Sequence, residues 1–180
     1  MLERILPFTH RKILEVLQKE DIAIDATIGN GFDTLFLCNN CEFVYGFDIQ
    51  QKAIESTHML LRENKISNYQ LFGISHSLML DKVTKEVAVI MFNLGYLPGH
   101  EKQLVTQAES TLLAIKSGLT ILRKGGIISL VVYTGHKGGV DESEAVTAFT
   151  NNLHSREYSV LRYQFTNKKN APYVIFIEKH

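Results

Sequence analysis

Short apolar runs alternate along this chain with longer segments of helical period, and that alternation narrows the fold further than any other feature. Residues 22–26 form a brief apolar run that ends in glycine-rich sequence, as a buried strand does. Runs at 43–48, 69–72, 87–92 and 127–133 predict four more strands. Between them, residues 51–64 place Ala53, Ile54, Thr57, Leu60 and Leu61 on one helical face. A second helix over 101–123 carries Leu104, Ala108, Leu112, Ile115, Leu119 and Leu122, with Gly125-Gly126 as its expected left-handed stop. Asp141 and Glu144 resemble a capping box before Ala145, Ala148, Phe149 and Leu153. Segments 158–165 and 173–178 predict a closing antiparallel hairpin, and Ile13, Leu14, Val16 and Leu17 an N-terminal helix over the sheet. Strands that are apolar on both faces and alternate with helices predict an α/β fold: a mostly parallel sheet of seven strands between helical layers.

A length of 180 residues suits one domain over 1–180, with 45% apolar and 21% charged residues, as globular chains have. Nineteen basic residues balance nineteen acidic ones, which removes the broad electrostatic argument for nucleic-acid binding and leaves only a local basic face. No apolar run approaches the roughly 18 residues of a membrane span. The start, Met1-Leu2-Glu3-Arg4, carries no signal-peptide pattern, so a cytoplasmic location is expected. Cys38 and Cys41 form a lone C-x-x-C without two further ligands, and Asn39-Asn40 between them reads as a helix stop. A structural role is expected for the pair, and no metal.

In an open parallel sheet, ligands bind beyond the carboxyl ends of the strands. The first strand runs into Asp25-Ala26-Thr27-Ile28-Gly29-Asn30-Gly31-Phe32-Asp33-Thr34. Gly29 and Gly31 allow a tight turn and close approach of backbone to ligand. Thr34 stands where the dinucleotide pattern G-x-G-x-x-G needs its third glycine, and no phosphate loop is present. Asp48 closes the second strand, where a carboxylate accepts both hydroxyl protons of an adenosine ribose. An adenosine ligand without phosphates fits such a loop, and S-adenosylmethionine (SAM) is that ligand. The turn resembles the D-x-G-x-G-x-G of class I methyltransferases, with Thr27 replacing the first glycine. The expected cofactor set is Asp25, Thr27, Ile28, Gly29, Asn30, Gly31, Asp33, Thr34, Asp48, Ile49, Gln50, Ser75 and His76.

Beyond the fourth strand, Asn93-Leu94-Gly95-Tyr96-Leu97-Pro98-Gly99 resembles the Asn-Pro-Pro-Tyr loop of enzymes that methylate amino nitrogens. An attacking amine must aim its lone pair at the methyl carbon, so its hydrogens need acceptors on the far side. Asn93 can supply one and Tyr96 can stack on a base. Tyr133-Thr134-Gly135-His136-Lys137-Gly138-Gly139 ends the fifth strand, with His136 placed to orient or deprotonate an amine. Asn93, Tyr96 and His136 are the expected catalytic residues; Tyr96, Tyr133, His136, Arg11 and Lys12 are the expected substrate contacts.

Segments 25–34, 93–99 and 133–139 together resemble the small bacterial proteins labelled rRNA methylases, and the resemblance runs from Pro7-Phe8-Thr9-His10 to the last strand. Members of that family, the MnmM type, are similar to enzymes that methylate the wobble uridine of tRNA. The resemblance implies a Rossmann-like class I methyltransferase fold. It also implies SAM-dependent N-methylation of an aminomethyl group on uridine 34, with the tRNA anticodon loop as partner. His100 after Gly99 departs from the pattern at the edge of one loop. Arg11, Lys12, Arg162, Lys168 and Lys169 are candidate phosphate contacts. At zero net charge, RNA affinity would rest on a local patch or on a homodimer. Competing readings are methylation of an rRNA base or a small-molecule amine, a nicotinamide oxidoreductase, and a module that binds SAM without catalysis.

Overall fold

The most apolar strand, β4 (Val87–Leu94), lies at the centre of the sheet because helices cover both of its faces. In this computed structural model, residues 1–95, 107–135, 138–168 and 171–180 are described. The other strands are β1 (Ile22–Asp25), β2 (Phe43–Phe47), β3 (Tyr69–Phe72), β5 (Leu122–Val132), β6 (Tyr158–Tyr163) and β7 (Tyr173–Lys179). Their order is β3-β2-β1-β4-β5-β7-β6. The first five of that order are parallel, and β7 and β6 join antiparallel at one edge, as the sequence predicts. The helices are α1 (Ile5–Leu14), α2 (Phe32–Cys38), α3 (Gln51–Glu63), α4 (Ala108–Ile121) and α5 (Gly139–Asn151).

Alternation along each strand divides the core in two. Ile90 and Phe92 of β4 pack with Ala114 and Ile115 of α4 and Val146 of α5. Val89 and Met91 face the opposite way, against Ile13 of α1, Leu37 of α2 and Leu61 of α3. The chain leaves β1 toward β2 and β3, then returns to the other side of β1 as β4. That reversal opens a crevice at the carboxyl ends of β1 and β4, where ligands bind in such sheets. No helix among the described residues is long and apolar enough to cross a membrane.

Four local expectations are corrected. Strand β4 continues through Asn93 and Leu94, which pair with Val131 and Val132 of β5, so Asn93 stands on a strand rather than in a loop. Helix α4 ends at Ile121, and the chain turns straight into β5. Gly125, at φ +68°, lies inside that strand, beside a register shift against β4, and is no helix stop. A Cβ on its neighbour Gly126 would come 2.9 Å from the Ala88 carbonyl oxygen, so close strand approach requires glycine there. Helix α5 starts at Gly139 with Gly138 at φ +84° as its cap, so Asp141 lies in the first turn and not at the cap. Instead the buried Glu142 accepts from Thr111 Oγ1 at 2.7 Å, tying α5 to α4. The N-terminal helix spans Ile5–Leu14, so Val16 and Leu17 follow it. Cys38 and Cys41 are buried free thiols at the end of α2, and burial pushes their pKa values up to about 12 and about 11. Such thiols stay protonated and inert at neutral pH.

Candidate active site

At the end of β1, Asp25 is fully buried below the glycine turn. Its carboxyl oxygens accept from the Thr34 hydroxyl at 2.6 Å and the Thr27 N–H at 3.1 Å. Burial, followed by the charge of Asp33, lifts its pKa from the ordinary 3.8 to about 7. Asp25 thus braces the turn from beneath. Above it, Gly29 (φ +55°) and Gly31 (φ +79°) adopt left-handed backbone. A Cβ on Gly31 would lie 2.5 Å from Thr57 Oγ1 of α3, so the turn is packed as well as tight. Ile28 is buried and Asn30 is exposed.

Asp48 follows β2 and faces the same turn. Its carboxylate accepts from the N–H groups of Gly29 and Gln50, each at 2.9 Å. Ile49 beside it is an exposed apolar side chain. After β3 the chain enters a 3₁₀ turn over His76–Asp81, which the sequence did not predict. Ser75 caps that turn, accepting from the Ser77 N–H at 3.2 Å. His76 is buried rather than exposed, and Nδ1–H donates to the Ala26 carbonyl at 3.0 Å, because a carbonyl can only accept. Burial lowers its pKa, which keeps the ring neutral and Nε2 an acceptor. Nε2 is buried with no hydrogen-bond partner among the described residues.

On the other side of the crevice stands Asn93. Its backbone N–H donates to Thr27 Oγ1 at 2.6 Å, so the hydroxyl that replaces a glycine in the motif joins β1 to β4. The side-chain Nδ2 donates to Asp33 Oδ2, and Oδ1 is buried without a partner among the described residues. Asp33 Oδ1 in turn accepts from His10 Nε2 at 2.6 Å. His10 stacks flat on Phe36, with centroids 3.9 Å apart. Tyr133 follows β5, and its N–H donates to the Leu94 carbonyl at 3.1 Å. Burial, then the charge of Asp33, raises its phenol pKa.

Asp25, Thr27, Thr34, Asp48 and Asn93 therefore meet at one sheet edge, with Asp33 bonded to Asn93 rather than to the turn's other polar groups. Sequence reasoning missed His10; its only signal was membership of the Pro-Phe-Thr-His segment that opens the resemblance. Tyr96, His136 and Lys169 lie outside the described residues. Arg11 and Lys12 stand on α1, where both pair with Glu15, and Arg11 also with Glu3. Arg162 lies over the Tyr173 ring and Lys168 over Phe165.

Residues 44–179 match the family described as "Putative rRNA methylase". The chloroplastic tRNA (mnm(5)s(2)U34)-methyltransferase of Arabidopsis thaliana is 42% identical over 179 residues, covering 92% of this chain and 65% of that protein. The chain thus spans just under two thirds of that relative's length. Among solved structures, a "putative rRNA-methylase" from Clostridium thermocellum is 34% identical and superposes with a TM-score of 0.98. A "putative methyltransferase" from Streptococcus mutans, solved in complex with SAH, is 39% identical with a TM-score of 0.95. Both alignments cover 100% of each chain. With the family model matched over most of its length, the chain belongs to the rRNA methylase family and has the class I methyltransferase fold.

Proposed function

We propose that the protein is a SAM-dependent N-methyltransferase acting on tRNA. It converts the aminomethyl group of 5-aminomethyl-(2-thio)uridine at wobble position 34 to 5-methylaminomethyl-(2-thio)uridine. The observation that carries this reading is the buried Oδ1 of Asn93 at the carboxyl edge of β4, which has no partner among the described residues. A buried acceptor left without a partner costs about 1–3 kcal/mol, so an incoming N–H there is favoured. The name of the Arabidopsis relative supports tRNA as the substrate class. The reading places the enzyme in the cytoplasm, with the anticodon loop as its partner.

The residues fit the cofactor. Asp48 has spare lone pairs for a ribose diol beyond the two N–H bonds it accepts, and His76 Nε2 offers a buried acceptor nearby. Residues 25–34 include no lysine or arginine, which suits a nucleoside without phosphates. When bound, SAM supplies a methyl group made electrophilic by its sulfonium. Asn93 Oδ1 accepts an amine N–H and so sets the direction of the nitrogen lone pair. A carboxamide is no base; its part is aim. Tyr133 adds an apolar wall beside the amine, since its ring packs with the core that includes Met91 and Val131.

The test is a reaction of the purified protein with SAM and tRNA bearing 5-aminomethyluridine, read by nucleoside mass spectrometry. The wobble nucleoside should gain one methyl. Methyl transfer to ribosomal RNA or to free amines in preference to this tRNA would overturn the assignment.

A further inference from the structure

A chain of side chains runs from α1 through α2 to the end of β4. His10 Nε2–H donates to one oxygen of Asp33, and Asn93 Nδ2–H donates to the other. His10 is fixed by its flat stack on Phe36, at an interplanar angle of 5°. Asp33 is largely buried, with its side chain 15% exposed. A carboxylate accepts and never donates. The Asn93 carboxamide turned by half a rotation would set Oδ1 against Asp33 Oδ2, acceptor against acceptor. Asp33 therefore permits one of the two carboxamide orientations, the one that leaves Oδ1 without a partner among the described residues.

We propose that Asp33, held by His10, is a positioning residue for the methyl acceptor, locking the Asn93 carboxamide so that Oδ1 faces the amine. The inference rests on the reading of Asn93 given above. It moves Asp33 from the cofactor set, where its place in the glycine turn suggested it belonged, to the acceptor side. His10 acts one step further out, through Asp33, and touches neither ligand.

A double-substitution cycle tests it, with single-turnover rates at saturating SAM and SAM affinity measured for each variant. Asp33→Ala should lower the rate by roughly 10- to 100-fold, as misplacement of a reacting group does. SAM affinity should stay within about threefold, and Asp33→Ala should cost no further rate in an Asn93→Ala background. Asp33→Asn keeps the side chain's shape and guards against a folding defect. Its amide pairs with either orientation of Asn93, so about half the molecules or fewer remain productive. His10→Gln, which retains an N–H donor, should recover most of the rate lost in His10→Ala. Independent, multiplying rate losses for Asp33 and Asn93 would overturn the proposal. A SAM affinity loss in Asp33→Ala as large as that of Asp48→Ala would overturn it too, returning Asp33 to the cofactor. Normal methylation by Asn93→Ala alone would remove the Asn93 reading, and the positioning role with it.

Discussion

The turn after β1 and the end of β4 lie side by side at the same sheet edge, yet their polar groups are arranged in opposite ways. In the turn, hydrogen bonds close on themselves: Asp25 holds Thr34 and Thr27, while Asp48 holds the N–H groups of Gly29 and Gln50. At β4, Asn93 is held on one side only, by Thr27 and Asp33, and its buried Oδ1 has no partner among the described residues. The first arrangement builds a fixed backbone surface that a nucleoside can lie against. On the proposed reading, the second leaves one lone pair for the incoming amine. If that reading holds, shape and reactivity fall to adjacent strand ends, and each should be open to damage without the other.

The sharpest way to break that division is Asn93→Ala. The methyl-transfer rate should fall on the order of a hundredfold, as a displacement of about 1 Å of the nucleophile allows. SAM affinity should change by no more than a few-fold, which calorimetry would check beside a single-turnover assay. The converse substitution is Asp48→Ala. Loss of two charge-assisted hydrogen bonds, each worth roughly 1.5–3 kcal/mol, should weaken SAM by about a hundredfold or more. The rate at saturating SAM should stay near the parent value. Unchanged SAM binding would mean that Asp48 is not the ribose ligand.

Two further substitutions ask how far the turn is a packed structure. Gly31→Ala forces a Cβ onto φ +79° and to within 2.5 Å of Thr57. Destabilisation of about 1–3 kcal/mol is expected in denaturant unfolding, from strain and overpacking together. Asp25→Asn should alter the pH dependence of stability more than its size. The folded carboxyl titrates at about 7 against an ordinary 3.8, so folding takes up a proton between those values. Its favourable contribution is complete below the lower value and is lost as pH rises through the upper. The asparagine variant lacks that loss, so it should compare better with the parent at about pH 8 than at about pH 5. A difference independent of pH would contradict the raised pKa of the buried Asp25.

Much of the fold was legible because strands buried on both faces read as near-continuous apolar runs: residues 87–92 are one, and 127–133 are broken only by Ser129. Boundaries set by tertiary pairing were not legible. Nothing local says that Asn93 and Leu94 stay in register with Val131 and Val132, or that Gly125 bends a strand rather than ending a helix. The seven-residue α2 is too short for periodicity to reveal, although Asn39 marks its end as expected. Near the glycine turn, the position of Asp48 was legible because it follows from strand and turn. The partnership of Asp33 was hidden because it joins residues 23 and 60 positions apart, from a helix and a strand that no motif links.

The central claim, methylation of a wobble aminomethyl group, is tested most directly by nucleoside mass spectrometry of total tRNA from a strain lacking this protein. The account predicts that 5-aminomethyl-(2-thio)uridine accumulates in place of its methylated form, and that restoring the intact gene reverses the change while the Asn93→Ala variant does not. Unchanged wobble uridines together with a missing methyl in ribosomal RNA would contradict it.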